Sequence, residues 1–277
     1  MMHARQSWIP LVVLAATGTF GAEDTDLVRA TLITDTDALT GGQEFRLGVR
    51  FQIEPGWHIY WKNPGDAGLA TTIALDLPPG FTAGPLQWPL PETFTQPGDI
   101  AGYGYEKDVL LWVRVRAPPT LKPGDTVPIR ATARWLCCSD RCVLGEAELS
   151  GRLAVGNNAP VPGEAADLFE KWEEKLPLGI ESARKAGLLD SVEVQHEEAS
   201  GTRLIITWRT EPGKVIGLPV AAPGARPRDL AMRSQGRRTI IGLDRAAAMT
   251  EVLIICTDRD GASRGVVVPV ELGRLNA

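Results

Sequence analysis

Apolar and polar residues alternate along much of this chain with a period of two. Glu44 to Ile53 is the clearest run, with Phe45, Leu47, Val49, Phe51 and Ile53 interleaving with Glu44, Arg46, Gly48, Arg50 and Gln52. That period puts the apolar set on one face of a strand and the polar set on the other, as in a sheet buried on one side. Leu27 to Ile33 reads as another strand. Trp57 to Trp61 alternates likewise, with Trp57, Ile59 and Trp61 facing in and His58 and Tyr60 facing out as solvated side chains; Asn63-Pro64-Gly65-Asp66 then ends it with turn chemistry. Further strands are expected at Thr71 to Leu77, Val109 to Val115, Val127 to Leu136 and Glu146 to Val155. Short strands parted by Pro/Gly loops predict an immunoglobulin-like β-sandwich over residues 26–156.

The period then changes. After the Gly-, Asn- and Pro-containing stretch Gly156 to Gly163, Glu164 to Leu176 carries a helical stripe of Leu168, Phe169, Trp172 and Leu176, stopped by Pro177. A second short helix is expected at Glu181 to Leu189, so residues 157–189 read as a linker containing helix. Strand patterns return at Ser191 to Glu197, Arg203 to Arg209, Arg238 to Leu243, Glu251 to Cys256 and Gly265 to Leu272. They predict a second, smaller β domain over residues 190–277 in which no chemistry stands out, and the fold class is all-β throughout.

Composition narrows the function. A chain of 277 residues with 44% hydrophobic content buries a sizeable core, and a net charge of −5 without any basic block argues against nucleic acid as a partner. Arg5, the apolar run Trp8 to Ala16 and the small residues of Thr17 to Ala22 have the layout of a secretory signal peptide, residues 1–21, with cleavage placed after Gly21. The run is about half the roughly 20 apolar residues a membrane anchor needs, and no later segment is long enough to span a membrane. The mature chain is therefore expected outside the cytoplasm, where disulfides form and persist.

That compartment bears on Trp135-Leu136-Cys137-Cys138-Ser139-Asp140-Arg141-Cys142, which holds three of the four cysteines. Along Val127 to Cys137 the inward parity takes Val127, Ile129, Ala131, Ala133, Trp135 and Cys137, leaving Cys138 outward. On the returning strand Cys142 shares that outward parity. A three-residue loop opposes Cys138 to Cys142; a two-residue turn pairs Cys137 with Cys142 instead, and a bulge reverses the parity. Arg141 in the loop favours a thiolate and Asp140 opposes it. Spacing alone does not separate a redox pair from a permanent structural staple. Metal is disfavoured: beyond the cluster there are His58, His196 and Cys256, with no second close pair. Cys256 ends an apolar strand and reads as a small buried hydrophobe.

Four ordered blocks then carry a family resemblance: Gly56-Trp57-His58-Ile59-Tyr60-Trp61-Lys62-Asn63-Pro64-Gly65-Asp66-Ala67-Gly68; Gln87-Trp88-Pro89; Gly102-Tyr103-Gly104-Tyr105-Glu106; and Trp135-Leu136 through Cys138, Cys142 and Gly145-Glu146-Ala147. Together they resemble the N-terminal domain of DsbD-type thiol:disulfide interchange proteins, in the suppressor-of-copper-sensitivity branch where three residues separate the cysteines. The resemblance spans Asp26 to Glu170. It implies a periplasmic immunoglobulin-like domain whose redox pair is Cys138 and Cys142, with Cys142 as the attacking thiol. It implies no bound cofactor or metal, and a relay of reducing equivalents from a membrane-embedded thiol reductase to oxidised exported proteins, as one component of a protein-disulfide reductase. It further implies a cap loop over about Asp99 to Tyr105, hinged at Gly102 and Gly104, with Ile100 or Tyr103 over the sulfurs and with His58 and Tyr60 near the site. Cys137 stands where the family has an apolar residue. The family's multi-helix membrane segment and thioredoxin-like domain have no counterpart here, so the donor is expected to be another polypeptide. The rival expectation is an exported binding or assembly module in which the disulfide is a staple.

Overall fold

The computed structural model describes residues 15–16, 27–96, 98–157, 162–197, 201–221, 230–243 and 249–270. The predicted signal peptide, residues 1–21, lies outside these apart from the backbone of Ala15 and Ala16. The chain divides into two compact units, Met1–Glu174 and Lys175–Ala277.

The first unit contains β1 (Val28–Thr34), β2 (Glu44–Ile53), β3 (His58–Gly65), β4 (Thr72–Asp76), β5 (Glu92–Gln96), β6 (Ile100–Tyr105), β7 (Asp108–Arg116), β8 (Thr126–Cys138), β9 (Cys142–Val155) and helix α1 (Ala166–Glu173). In one sheet β2 lies between β1 and β7. In the other the order runs β9, β8, β3, β6, β5, with β4 also pairing along β8. The apolar positions of β2 are all buried, as are Ile129, Ala131, Ala133, Trp135 and Cys137 of β8. Phe51 and Trp135 meet edge to face at 5.5 Å, closing the space between the two sheets. The unit is the expected β-sandwich.

Helix α1 belongs to this first unit rather than to a free linker. It seals the other face of the β1–β2–β7 sheet, where Trp112 meets Phe169 edge to face at 6.3 Å. Arg46 donates to Asp35 at 2.7 Å and to Glu173 at 2.7 Å, and its guanidinium lies over the Phe169 ring at 5.3 Å. Burying a ring such as Phe169 contributes about 1.5–3 kcal/mol, enough to hold a two-turn helix that is marginal by itself.

The second unit has α2 (Ile180–Lys185), β10 (Leu189–Glu197), β11 (Gly201–Trp208), β12 (Lys214–Ala221), β13 (Ala231–Gln235), β14 (Arg238–Leu243), β15 (Met249–Thr257) and β16 (Ser263–Pro269). One sheet runs β10, β11, β14, β13 and the other β12, β15, β16. Leu204, Ile206, Trp208, Ile241, Val252, Ile254, Cys256 and Val266 form their common core. Residues 157–189, read from sequence as one linker, are thus shared between the units. β12 and β13 are additions to the sequence reading.

Candidate functional site

The β8–β9 hairpin keeps strict register from Thr126 opposite Ala154 to Cys138 opposite Cys142. Ser139 N–H donates to the Arg141 carbonyl at 2.9 Å and closes the three-residue loop. A disulfide joins Cys138 to Cys142 with their Cα atoms 4.1 Å apart. Cys137 is free and buried, one residue before this rung and on the inner face. Burial pushes its thiol up to about 12, which leaves it protonated and inert near neutral pH.

The two bonded cysteines differ in access. Cys142 is exposed, whereas Cys138 retains 1% of its surface. Outward parity predicts an open Cys138, so something covers the outer face at this end. The β5–β6 hairpin, where the sequence reading placed a cap loop, covers His58 and Tyr60 on that face. Cys138 pairs in register with His58, Tyr60 with Gly104, Gly104 with Glu92, Gly102 with Phe94 and Ile100 with Gln96. Paired residues share a face, so Phe94, Gln96, Ile100, His58 and Tyr60 all lie on the face of Cys138. Tyr103 opposes Thr93 and falls on the other face.

His58 and Tyr60 are consequently not solvated; they retain 8% and 1% of their surface. Phe94 packs on the His58 ring at 4.0 Å between centroids and reaches Tyr60 at 6.1 Å. It crosses β6 at Gly102, where a Cβ would stand 2.1 Å from the Phe94 ring. Gly104 lets β6 approach β3, since a Cβ there would stand 2.0 Å from the Ile59 carbonyl. The two glycines thus serve close packing inside a strand. Gln96 Nε2 donates to Tyr60 Oη at 2.7 Å and stands 3.3 Å from His58 Nε2, itself 3.3 Å from Tyr60 Oη. An amide nitrogen only donates, so His58 Nε2 is an acceptor and the ring is neutral. Desolvation lowers the His58 pKa in the same sense, and raises that of Tyr60.

The Asn63–Asp66 turn anchors the cover. Gly65 N–H donates to Asn63 Oδ1 at 3.0 Å, Asp66 N–H to the Ala101 carbonyl at 2.9 Å, and Ala101 N–H to Asp66 Oδ2 at 2.9 Å. In the cysteine loop, Arg141 is exposed and its guanidinium lies over the Trp57 ring at 5.9 Å. Of the residues singled out from sequence, Cys138, Cys142, His58, Tyr60 and Ile100 share this face. Phe94 and Gln96 were missed. Glu92-Thr-Phe-Thr-Gln96 does alternate, but with a single apolar side chain, too little to mark a strand. Among the described residues no group of three or more His, Cys, Asp or Glu is placed to hold a metal ion.

This is the architecture of a known family. Residues 27–154 match the family described as thiol:disulfide interchange protein DsbD, N-terminal. The first unit is a DsbD-type N-terminal domain. The N-terminal periplasmic domain of ScsB from Proteus mirabilis superposes with a TM-score of 0.63 at 19% identity, over 90% of this chain and 96% of that one. At that identity the likeness speaks to fold, and it spans more of the chain than the DsbD-type domain alone. The yeast GGA1 GAE domain, at 10% identity over 55% of this chain and 99% of that one, reaches a TM-score of only 0.28. The periplasmic chaperone SfaE, at 6% identity over 86% and 100%, reaches 0.22, and neither carries an argument. No curated protein matches the sequence. Among the described residues of the DsbD-type domain and the unit that follows it, no helix is long and apolar enough to cross a membrane.

Proposed function

We propose that this protein is a periplasmic thiol–disulfide exchange module that relays reducing equivalents from a membrane-embedded thiol reductase to oxidised exported proteins. The observation that carries the reading is the asymmetry of the Cys138–Cys142 pair, one residue exposed and the other buried. Exchange proceeds by thiolate attack through a mixed disulfide and depends on which sulfur is accessible.

In the reduced pair, Cys142 thiolate attacks a substrate disulfide, forming a Cys142–substrate bond and releasing one substrate thiolate, which takes up a proton. Cys138 then attacks Cys142 Sγ and the second substrate sulfur leaves. The substrate gains two electrons and two protons, and the pair loses them. The reductase reverses this by attacking Cys142 and expelling Cys138. His58, register partner of Cys138 on the same face, is the candidate to assist the proton exchanged at Cys138 once Gln96 releases its Nε2.

Trapping tests the reading. Cys138→Ser retains the attacking thiol but not the resolving one, so it should accumulate a covalent adduct with an oxidised exported protein, whereas Cys142→Ser should not. A reduction potential above about −300 mV is expected for an exchanging pair. A lower potential together with no adduct from either variant would assign the bond to a structural staple.

A further inference from the structure

Thiolate attack on a disulfide runs in line with the bond that breaks, so a nucleophile for Cys142 Sγ arrives from the side opposite Cys138. The two cysteines face each other across β8 and β9, which makes that side the outer edge of β9. Among the described residues no strand pairs with this edge at residues 142–147: Ala15–Ala16 joins it at Glu148 and Leu149, and Ala38–Leu39 at Ala154 and Val155. Whatever protein brings a sulfur to Cys142 therefore seats over the start of β9.

Next to the exposed Arg141 of the loop, it meets an apolar rung. Leu144, two residues from Cys142 on the same face, is 74% exposed, and its rung partner Leu136 is half-buried. The other exposed large apolar side chain among the described residues, Leu69 at 57%, follows Gly68, whose backbone lies against the Tyr60 ring. The next rung, Arg134 and Glu146, is joined by two hydrogen bonds of 3.1 and 3.0 Å, so its charges offset each other. Single exposed leucines are ordinary on protein surfaces. A leucine rung beside the reachable sulfur differs, because every in-line approach must desolvate it.

We propose that the Leu136–Leu144 rung is the docking surface for the redox segment of a partner protein whose cysteine emerges from an uncharged apolar collar. The proposal rests on the exchange reading above and names what that site recognises. The partner thiolate bonds to Cys142 Sγ, the Cys142–Cys138 bond breaks, and Cys138 leaves as a thiolate that takes up a proton. The partner's second thiol then expels Cys142, so the pair gains two electrons and two protons and the partner becomes a disulfide.

The probes are two synthetic dithiol peptides with the same Cys-Gly-Ser-Cys centre, one flanked by Leu and Val and the other by Ser and Gln, with dithiothreitol as a third reductant. The wild-type disulfide should be reduced about tenfold faster by the apolar peptide, the size expected for burying most of one leucine. Leu144→Ser should remove that preference, bringing the rate with the apolar peptide to the rate with the polar one, while Leu144→Met keeps it. An unchanged melting midpoint verifies that the serine variant is folded. Equal rates with both peptides in the wild type, or a preference that survives in Leu144→Ser, would overturn the docking surface while leaving exchange intact. A disulfide resistant to all three reductants would overturn the exchange reading and the docking surface with it.

Discussion

Each unit contains a hairpin that closes in a similar way, and only one of the two ends in a disulfide. In the first, the last rung is Cys138–Cys142, and Ser139 N–H then donates to the Arg141 carbonyl. In the second, β15 and β16 end in Thr257 opposite Ser263, whose hydroxyls lie 2.9 Å apart, and Asp258 N–H then donates to the Ala262 carbonyl at 3.0 Å. Each hairpin places a free buried cysteine one residue before that rung, Cys137 in one and Cys256 in the other. Desolvation raises both thiols. The difference lies in the closing rung: two cysteines on the outer parity, one of them reachable, against two hydroxyls. Register, more than the presence of a thiol, sets what a cysteine does here.

The largest effect that separates the two kinds of cysteine is chemical reactivity. After reduction, alkylation near pH 8 should label Cys142 first. A thiol pushed up to about 12 is thiolate only to about one part in 10⁴ at that pH, so Cys137 should react at least about 10³-fold more slowly. Peptide mapping by mass spectrometry measures the order. Labelling of Cys137 on the timescale of Cys142 would erase the contrast between inner and outer parity.

Stability should respond next. The disulfide closes a very short loop, with a sequence separation of 4, so the chain-entropy relation puts its contribution at about 2 kcal/mol. Reduction should lower the unfolding free energy of the first unit by that amount, moving its denaturant midpoint down, and leave the second unit's midpoint where it was. A shift of both midpoints would mean that the disulfide does more than close its own loop.

How far the sequence alone reaches is visible in these same residues. Glu44–Ile53 is legible to the residue because its core face is uniformly apolar while its other face keeps Arg46, Arg50 and Gln52, even where α1 packs on it. The opposition of Cys138 and Cys142 is the arrangement that parity along Val127 to Cys137 favours, and the three-residue loop decides it against a two-residue turn or a bulge. The covering of His58 and Tyr60 is not legible, because parity records only that they face away from the core. What covers them comes from Phe94 and from Gln96, 36 positions from Tyr60, on a strand whose five residues include one apolar side chain. β13, Ala231–Gln235, is missed for the same reason: only Met232 among its residues is partly withdrawn from solvent. Strands that build a core announce themselves by alternation. Strands that cover a site or finish an edge do not.

Over any single pH unit the effect of the inner cysteine is smaller, and it is confined to alkaline pH. Because the folded-state pKa of Cys137 lies above its unfolded value, its contribution is fully present below about 9 and is lost as pH rises toward about 12. One such proton contributes up to about 1.4 kcal/mol of lost stability per pH unit across that window. Cys137→Val, which keeps an apolar side chain in place, should reduce the alkaline slope of the first unit's unfolding free energy by that share. An unchanged slope would show that Cys137 is not held protonated by burial.

The smallest expected effect tests the other closing rung. The Thr257–Ser263 hydrogen bond is exposed, so its loss exchanges a protein partner for solvent and costs about 0.5 kcal/mol. Ser263→Ala should therefore move the second unit's denaturant midpoint by an amount near the limit of measurement and leave the reduction potential of Cys138–Cys142 unaltered. The rest of that loop keeps its own support, because Asp258 Oδ1 accepts from the N–H groups of Asp260 at 3.0 Å and Ala262 at 2.9 Å. A loss of about 2 kcal/mol or more, the scale of the disulfide itself, would mean that hydroxyls and cysteines at the end of a hairpin serve the same structural purpose. The case for exchange at Cys138–Cys142 would then rest on its accessibility alone.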